Sequence, residues 1–157
     1  MIPPILGVIG TSDASPKEYE IAQEVGKLAA KRGWILVCGG LTGVMEAASR
    51  GANEAGGVVV GILPQGFIED ANKYVTVPVA TNMGHARNII IAHTAEALVA
   101  IGGSHGTLSE IAIARKLGKP VFSIGSWEIA DVTPIADAKA AIEGCQRHYN
   151  EIHKITP

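Results

Sequence analysis

Short apolar runs and helical stretches alternate from one end of this chain to the other, and few folds accommodate that order. Residues 34–38 (WILVC) carry no polar alternation, the pattern of a strand buried on both faces. Comparable runs recur at residues 4–9, 58–63, 74–79, 97–101 and 120–124. Between them the apolar spacing turns helical. Ser15-Pro16-Lys17-Glu18 is a capping box with proline at the first helical position. Ile21, Ala22, Val25, Leu28 and Ala29 then share one face until Gly33 closes the helix. Further helices are expected over residues 44–55, 86–95, 107–117 and 134–153, the last with a break near Gly144. This order resolves into an α/β, Rossmann-like, doubly wound parallel sheet with helices on both faces. With 157 residues and no linker or low-complexity tract, a single domain over residues 1–157 is expected.

Composition narrows the function classes. Hydrophobic residues make up 47% and charged residues 18%, a balance suited to a sheet covered on both sides. Net charge is −2, aromatic residues are 4%, and no basic run exists. A nucleic-acid groove needs clustered cations and stacking rings, so no nucleic-acid partner is expected. The chain opens without a signal-peptide pattern, and no apolar run approaches the roughly 18 residues that cross a bilayer. A cytoplasmic protein without a membrane partner is the expectation. Cys38 ends an apolar run and reads as a buried small hydrophobe; Cys145 lies far from it. His85 and His105 fall on loops with no second ligand at metal spacing, so no metal site is expected.

Doubly wound sheets bind ligands beyond the carboxyl ends of their strands, and three glycine-bearing turns fall there. Gly10, Thr11 and Ser12 follow the first strand; Gly39, Gly40, Leu41, Thr42 and Gly43 follow the second. Gly102, Gly103, Ser104, His105, Gly106 and Thr107 follow the fifth. The last two turns share the spacing Gly-Gly-x-x-Gly, each between a strand and a helix. Glycine lets backbone N–H groups approach an anion there, and a helix start adds partial positive charge. Tight strand-to-helix turns also use glycine on steric grounds alone, but two of one form on one sheet edge favour a phosphate site. All of these residues except Leu41 are candidate phosphate contacts. No Gly-Lys-Ser/Thr is present, which excludes a P-loop NTPase. The third strand is followed by no carboxylate until Glu69, which argues against a classical NAD dehydrogenase.

Two charged residues stand apart. Arg87 opens the apolar segment Arg87-Asn88-Ile89-Ile90-Ile91, where a guanidinium needs an anionic partner: a ligand phosphate, or a carboxylate of the protein itself. Glu110 lies three residues past Thr107, where it either completes a helix cap or points into the ligand site opposite Arg87.

Gly102 to Glu110 resembles the Gly-Gly-x-Gly-Thr-x-x-Glu signature of LONELY GUY-type proteins, often mislabelled lysine decarboxylases. Met83-x-x-x-Arg87 looks like their arginine motif, and Gly39–Gly43 with Val44 and Met45 is similar to their earlier glycine turn. The likeness spans roughly residues 7–124. It implies a homodimer or higher assembly and offers two activities. The phosphoribohydrolase branch cleaves the N-glycosidic bond of nucleoside 5′-monophosphates, and its catalytic arginine and glutamate would be Arg87 and Glu110. The molybdenum cofactor carrier branch binds a pterin monophosphate as cargo and breaks no bond. Ile101 stands where the hydrolases have proline, the turn carries one additional residue at Ser104-His105, and Asn88 replaces a lysine. These features look more like the carrier-type branch. The resemblance therefore implies an intracellular binding protein for a phosphate-bearing small molecule, with the hydrolase as the alternative. A pyridoxal-dependent decarboxylase is set aside, because Lys17, Lys27, Lys31, Lys116, Lys119 and Lys139 fall on expected exposed helix faces or loop edges. Selectivity for a base or a pterin is assigned to loops such as residues 65–73.

Overall fold

The computed structural model describes residues 2–155. Seven strands, β1 (Ile5–Gly10), β2 (Ile35–Cys38), β3 (Val59–Leu63), β4 (Val77–Ala80), β5 (Ala97–Ile101), β6 (Val121–Ile124) and β7 (Thr133–Pro134), form one sheet in the order β4-β3-β2-β1-β5-β6-β7. Every pairing is parallel. The helices are α1 (Pro16–Lys31), α2 (Val44–Glu54), α3 (Arg87–Thr94), α4 (His105–Lys116) and α5 (Ala138–Ile152). The expected doubly wound α/β sheet is the one observed.

Alternate residues of the strands feed two cores. Leu6, Val8, Leu36, Cys38 and Val99 face α1, α2 and α5, whereas Ile9, Val37, Ile62, Leu98 and Ala100 face α3 and α4. β5 is buried along its whole length, as a strand with helices on both sides must be. Its neighbour β1 is paired in register from Leu6↔Ala97 to Gly10↔Ile101. The chain winds outward from β1 through β4, then crosses back to place β5 on the other side of β1. The crevice between the carboxyl ends of β1 and β5 is thus the switch point where ligands of this fold class bind.

The first helix follows its sequence signature closely. Ser15 Oγ accepts from Glu18 N at 3.2 Å, Glu18 Oε2 accepts from Ser15 N at 2.8 Å, and Gly33 takes φ +78° just past the end.

Elsewhere the boundaries differ for identifiable reasons. The closing helix begins at Ala138, not residue 134, because Pro134 pairs with Ser123 as part of β7, an edge strand that tolerates a residue without an N–H. Asp137 then caps α5 through a 2.8 Å bond from Ala140 N. α5 runs unbroken past Gly144, whose missing side chain leaves room for the Phe122 ring: a β-carbon there would stand 2.6 Å from it. β4 starts at Val77 because residues 72–75 form a turn held by Asn72. Lys119 is half-buried, not on an exposed edge. Its Nζ donates to the carbonyls of Ala92, at 2.8 Å, and His93, placing a cation at the carboxyl end of α3.

Candidate functional site

The three glycine turns converge at the switch point. The turn after β1 is joined to the turn after β2: Val44 N donates to Thr11 O at 2.9 Å, and Thr42 Oγ1 donates to Ser12 O at 3.0 Å. Gly43, the N-cap residue of α2, sits at φ +66° against the backbone of Thr11 and Ser12, where a β-carbon would have no room. From the other side Asn72 N donates to Gly40 O at 2.9 Å, and Asn72 Nδ2 donates to Leu41 O at 2.9 Å. Gly40 N points to Cys38 Sγ at 3.4 Å. The Gly40 and Leu41 carbonyls, the Gly40 amide and the Thr42 hydroxyl of this turn are therefore engaged within the protein, while among the described residues no acceptor meets the amides of Leu41, Thr42 and Gly43.

The turn after β5 is built differently. Gly102 N donates to Ile124 O at 3.2 Å, and α4 then begins at His105, two residues earlier than the apolar spacing suggests. Ser104 is the N-cap residue but makes no side-chain cap bond. Among the described residues no acceptor meets the amides of His105, Gly106 and Thr107, so the first turn of α4 presents three donors. Ser104 and His105 are exposed and Thr107 is buried. The Glu18 carboxylate lies against Gly102, so the anion-favouring side of this turn is its helical end. His85 is also exposed, in the short 3₁₀ turn Gly84–Ala86 that leads into α3.

Arg87 and Glu110 are both buried near these turns and lie close enough for each charge to be felt by the other. Arg87 is 8% exposed and Glu110 7%. Arg87 reaches across the carboxyl end of β2: a β-carbon on Gly39 would stand 2.7 Å from its Nη2 and 2.6 Å from Met45 Sδ. Its Nη1 donates to Asn88 Oδ1, while its Nε is buried without a partner. Among the described residues no carboxylate oxygen lies within 4.0 Å of it. Because α4 starts early, Glu110 falls in the second turn and is not part of a capping box. Burial pushes its carboxyl up to about 8, against a smaller opposing pull from Arg87. Burial therefore favours the protonated form of Glu110. Burial likewise lowers Arg87 from its usual range and raises the Cys38 thiol beside them.

Several site residues carry no sequence signal of their own. Asn72 clasps the turn after β2, and Cys38 lies under it. Trp127, in the segment between β6 and β7, donates from Nε1 to Ser104 O at 3.0 Å and packs its ring 5.8 Å from that of His105. A tryptophan following a strand in a chain this poor in aromatics is the one signal that could have found it. Among the described residues no three His, Cys, Asp or Glu side chains cluster as a metal site would require, and no helix is long and apolar enough to cross a membrane.

A doubly wound parallel sheet, with open helix-start amides and a buried arginine near its switch point, defines a Rossmann-like α/β protein. Within that class the chain belongs to the SLOG cluster4 family, whose model matches residues 3–153. The structure of the molybdenum cofactor binding protein from Rippkaea orientalis superposes with a TM-score of 0.89 at 34% identity, covering 94% of this chain and 98% of that one. The molybdenum cofactor carrier protein of Chlamydomonas reinhardtii superposes at 0.87 with 35% identity, covering 96% and 99%. A cytokinin riboside 5′-monophosphate phosphoribohydrolase of Mycobacterium tuberculosis is 32% identical over 117 residues, 69% of this chain and 63% of that protein. The chain thus spans less than two thirds of that enzyme. The resemblance to LONELY GUY-type proteins and to the carrier branch is borne out.

Proposed function

We propose that this protein binds a phosphate-bearing small molecule without breaking a bond, and that its cargo is the molybdenum cofactor, a pterin monophosphate. The observation that carries this reading is the uncompensated cation at Arg87. Arg87 is nine-tenths buried, its Nε is unpartnered, and burial favours the neutral form of the nearby Glu110 carboxyl. A buried charge without a partner is costly. A phosphate dianion at the α4 amides would supply that charge and satisfy the open donors together. Gly102 to Thr107 and Arg87 are the contacts proposed; Gly10, Thr11, Ser12, Gly39, Gly40, Thr42 and Gly43 shape the floor. The end-to-end likeness to two molybdenum cofactor proteins supports the choice of cargo.

The test is retention of molybdenum cofactor by the purified protein. Arg87→Ala is expected to weaken it at least tenfold, and Glu110→Gln to leave it within about threefold. Retention unaffected by Arg87→Ala would sink the reading.

The juxtaposition of Arg87 and Glu110 favours one alternative, nucleoside 5′-monophosphate phosphoribohydrolysis. Release of free base by the wild type, abolished in Glu110→Gln, would establish it in place of the carrier reading.

We further propose a cytoplasmic homodimer. Ile89 is 47% exposed on α3, and Met83, Val77 and Val79 are exposed on β4 and the segment joining it to α3. Sedimentation should give twice the chain mass, and a monomer in dilute buffer would contradict the assembly.

A further inference from the structure

Beside the open end of α4 lies a second feature that phosphate binding leaves unused. The segment between β6 and β7 walls a cleft of about 430 Å³, lined by Ser126, Trp127, Glu128, Ile129, Val132 and Pro134, among others. That volume falls within the roughly 300–1,000 Å³ of small-molecule sites, and a mostly apolar lining with a few polar groups is their usual make-up. Three details tie the cleft to the phosphate turn and to a flat occupant. Trp127 is anchored by its indole N–H to the N-cap carbonyl of α4, and its ring is tilted 52° against His105, the first residue of that helix. Ser126 Oγ is buried and has no hydrogen-bond partner. Glu128 is exposed and contributes to the cleft lining.

Resting on the phosphate reading above, we propose that this cleft receives the planar heterocycle of the phosphate ligand. Trp127 supplies its stacking face, and Glu128 with Ser126 reads a ring edge that presents adjacent N–H donors. A carboxylate has two acceptor oxygens and pairs with two neighbouring N–H groups. The 2-amino-4-oxo edge shared by guanine and pterin offers such a pair. The pairing edge of adenine offers one donor beside an acceptor nitrogen, and that nitrogen would face the carboxylate. The cleft is thus selective for 2-amino-4-oxo rings, and selectivity resides at residues 126–128, not at residues 65–73.

The experiment is equilibrium titration of the full chain with inorganic phosphate, GMP, AMP and 6-hydroxymethylpterin phosphate, followed by calorimetry. GMP and the pterin phosphate are expected to bind about tenfold or more tightly than AMP, and the tighter of the two identifies which ring source the cleft prefers. Trp127→Ala should weaken both about tenfold while leaving inorganic phosphate within twofold, the scale of losing one aromatic stacking partner. Trp127→Phe, which keeps a ring but loses the bond to Ser104, should retain most of the affinity. Glu128→Gln, at an exposed position where folding is safe, should erase the preference over AMP. Equal affinity for AMP and GMP, or insensitivity of both ring ligands to Trp127→Ala while phosphate still competes, overturns the cleft assignment and leaves the phosphate reading standing. Failure of phosphate and of all three ring ligands to bind overturns both.

Discussion

The two Gly-Gly-x-x-Gly turns share one spacing and serve opposite ends. The turn after β2 is braced by its neighbours, and the first amide of its helix, Val44 N, is taken by Thr11 O. Thr42, Gly40 and Leu41 are bonded to Ser12 and Asn72, and Gly43 is pressed against the neighbouring turn. Its contribution to binding is to leave Gly39 bare, so that Arg87 can lie across it. The turn after β5 is open, with an uncapped N-cap residue and three amides free of protein acceptors. One turn is held by the segments around it, and the other leaves the whole first turn of its helix unbraced. A shared glycine pattern reports that backbone comes close to something; whether that is another turn or a ligand depends on what the fold brings alongside.

The contrast can be broken by paired substitutions. Gly43→Ala should cost roughly 3 kcal/mol or more, since it combines a backbone conformation that L-residues rarely adopt with overlap onto Thr11 and Ser12. The matching Gly106→Ala meets nothing nearer than Asn88 Nδ2 at 4.0 Å, so it should leave stability unchanged or raise it by up to about 1 kcal/mol. Urea denaturation of the two variants checks the difference, and equal losses would mean that the turns are not distinct.

Glu110 tests the helix behind the open turn. Its folded-state carboxyl titrates near 8 against an ordinary 4.5. Between those values the folded protein keeps a proton that the unfolded chain has released, so stability falls as pH rises through that window. Glu110→Gln should flatten this dependence and stabilise the protein at pH 7 by about 3 kcal/mol, read from denaturation midpoints at pH 5 and pH 8. A wild type whose stability is level from pH 5 to pH 8 would show that Glu110 is not held protonated.

Smaller effects sharpen the picture. Asn72→Ala should cost about 1–2 kcal/mol by leaving Leu41 O and Tyr74 N without their side-chain partner. Ser104→Asp should add the missing cap to α4 and stabilise it by about 1 kcal/mol, yet weaken phosphate binding several-fold, because its carboxylate would occupy the donors an anion needs. Stabilisation without loss of phosphate affinity would place the anion elsewhere.

Much of this was legible in the residues. The capping box at Ser15–Glu18, the Gly33 stop and the apolar runs of β2 and β5 are local signals; each formed, β2 starting one residue later than its apolar run. The site was legible in part. Arg87 drew attention because a guanidinium opens an aliphatic run, and Glu110 because of its place after the glycine turn. Thr42 was readable only as a candidate ligand contact. Its hydroxyl is bonded to Ser12, a partner thirty residues away that no local pattern encodes. Apolar spacing places the start of α4 two residues late, because its first turn is closed by Leu108 N donating to Ser104 O across residues that carry no apolar pattern.

By itself, the sequence determined which segments would be strands and helices, that the sheet would be parallel, and that glycine turns would gather at its carboxyl edge. Hydrophobic period, caps and turn chemistry act over a few residues, so they can be read from a few residues. Only the tertiary structure decided which of two like turns is braced by its neighbours, that Arg87 lies buried with an unpartnered Nε near a Glu110 whose carboxyl is raised by burial, and that Trp127 reaches the cap of α4. Those outcomes depend on burial and on partners brought together by strand order, and desolvation has no counterpart in a linear pattern.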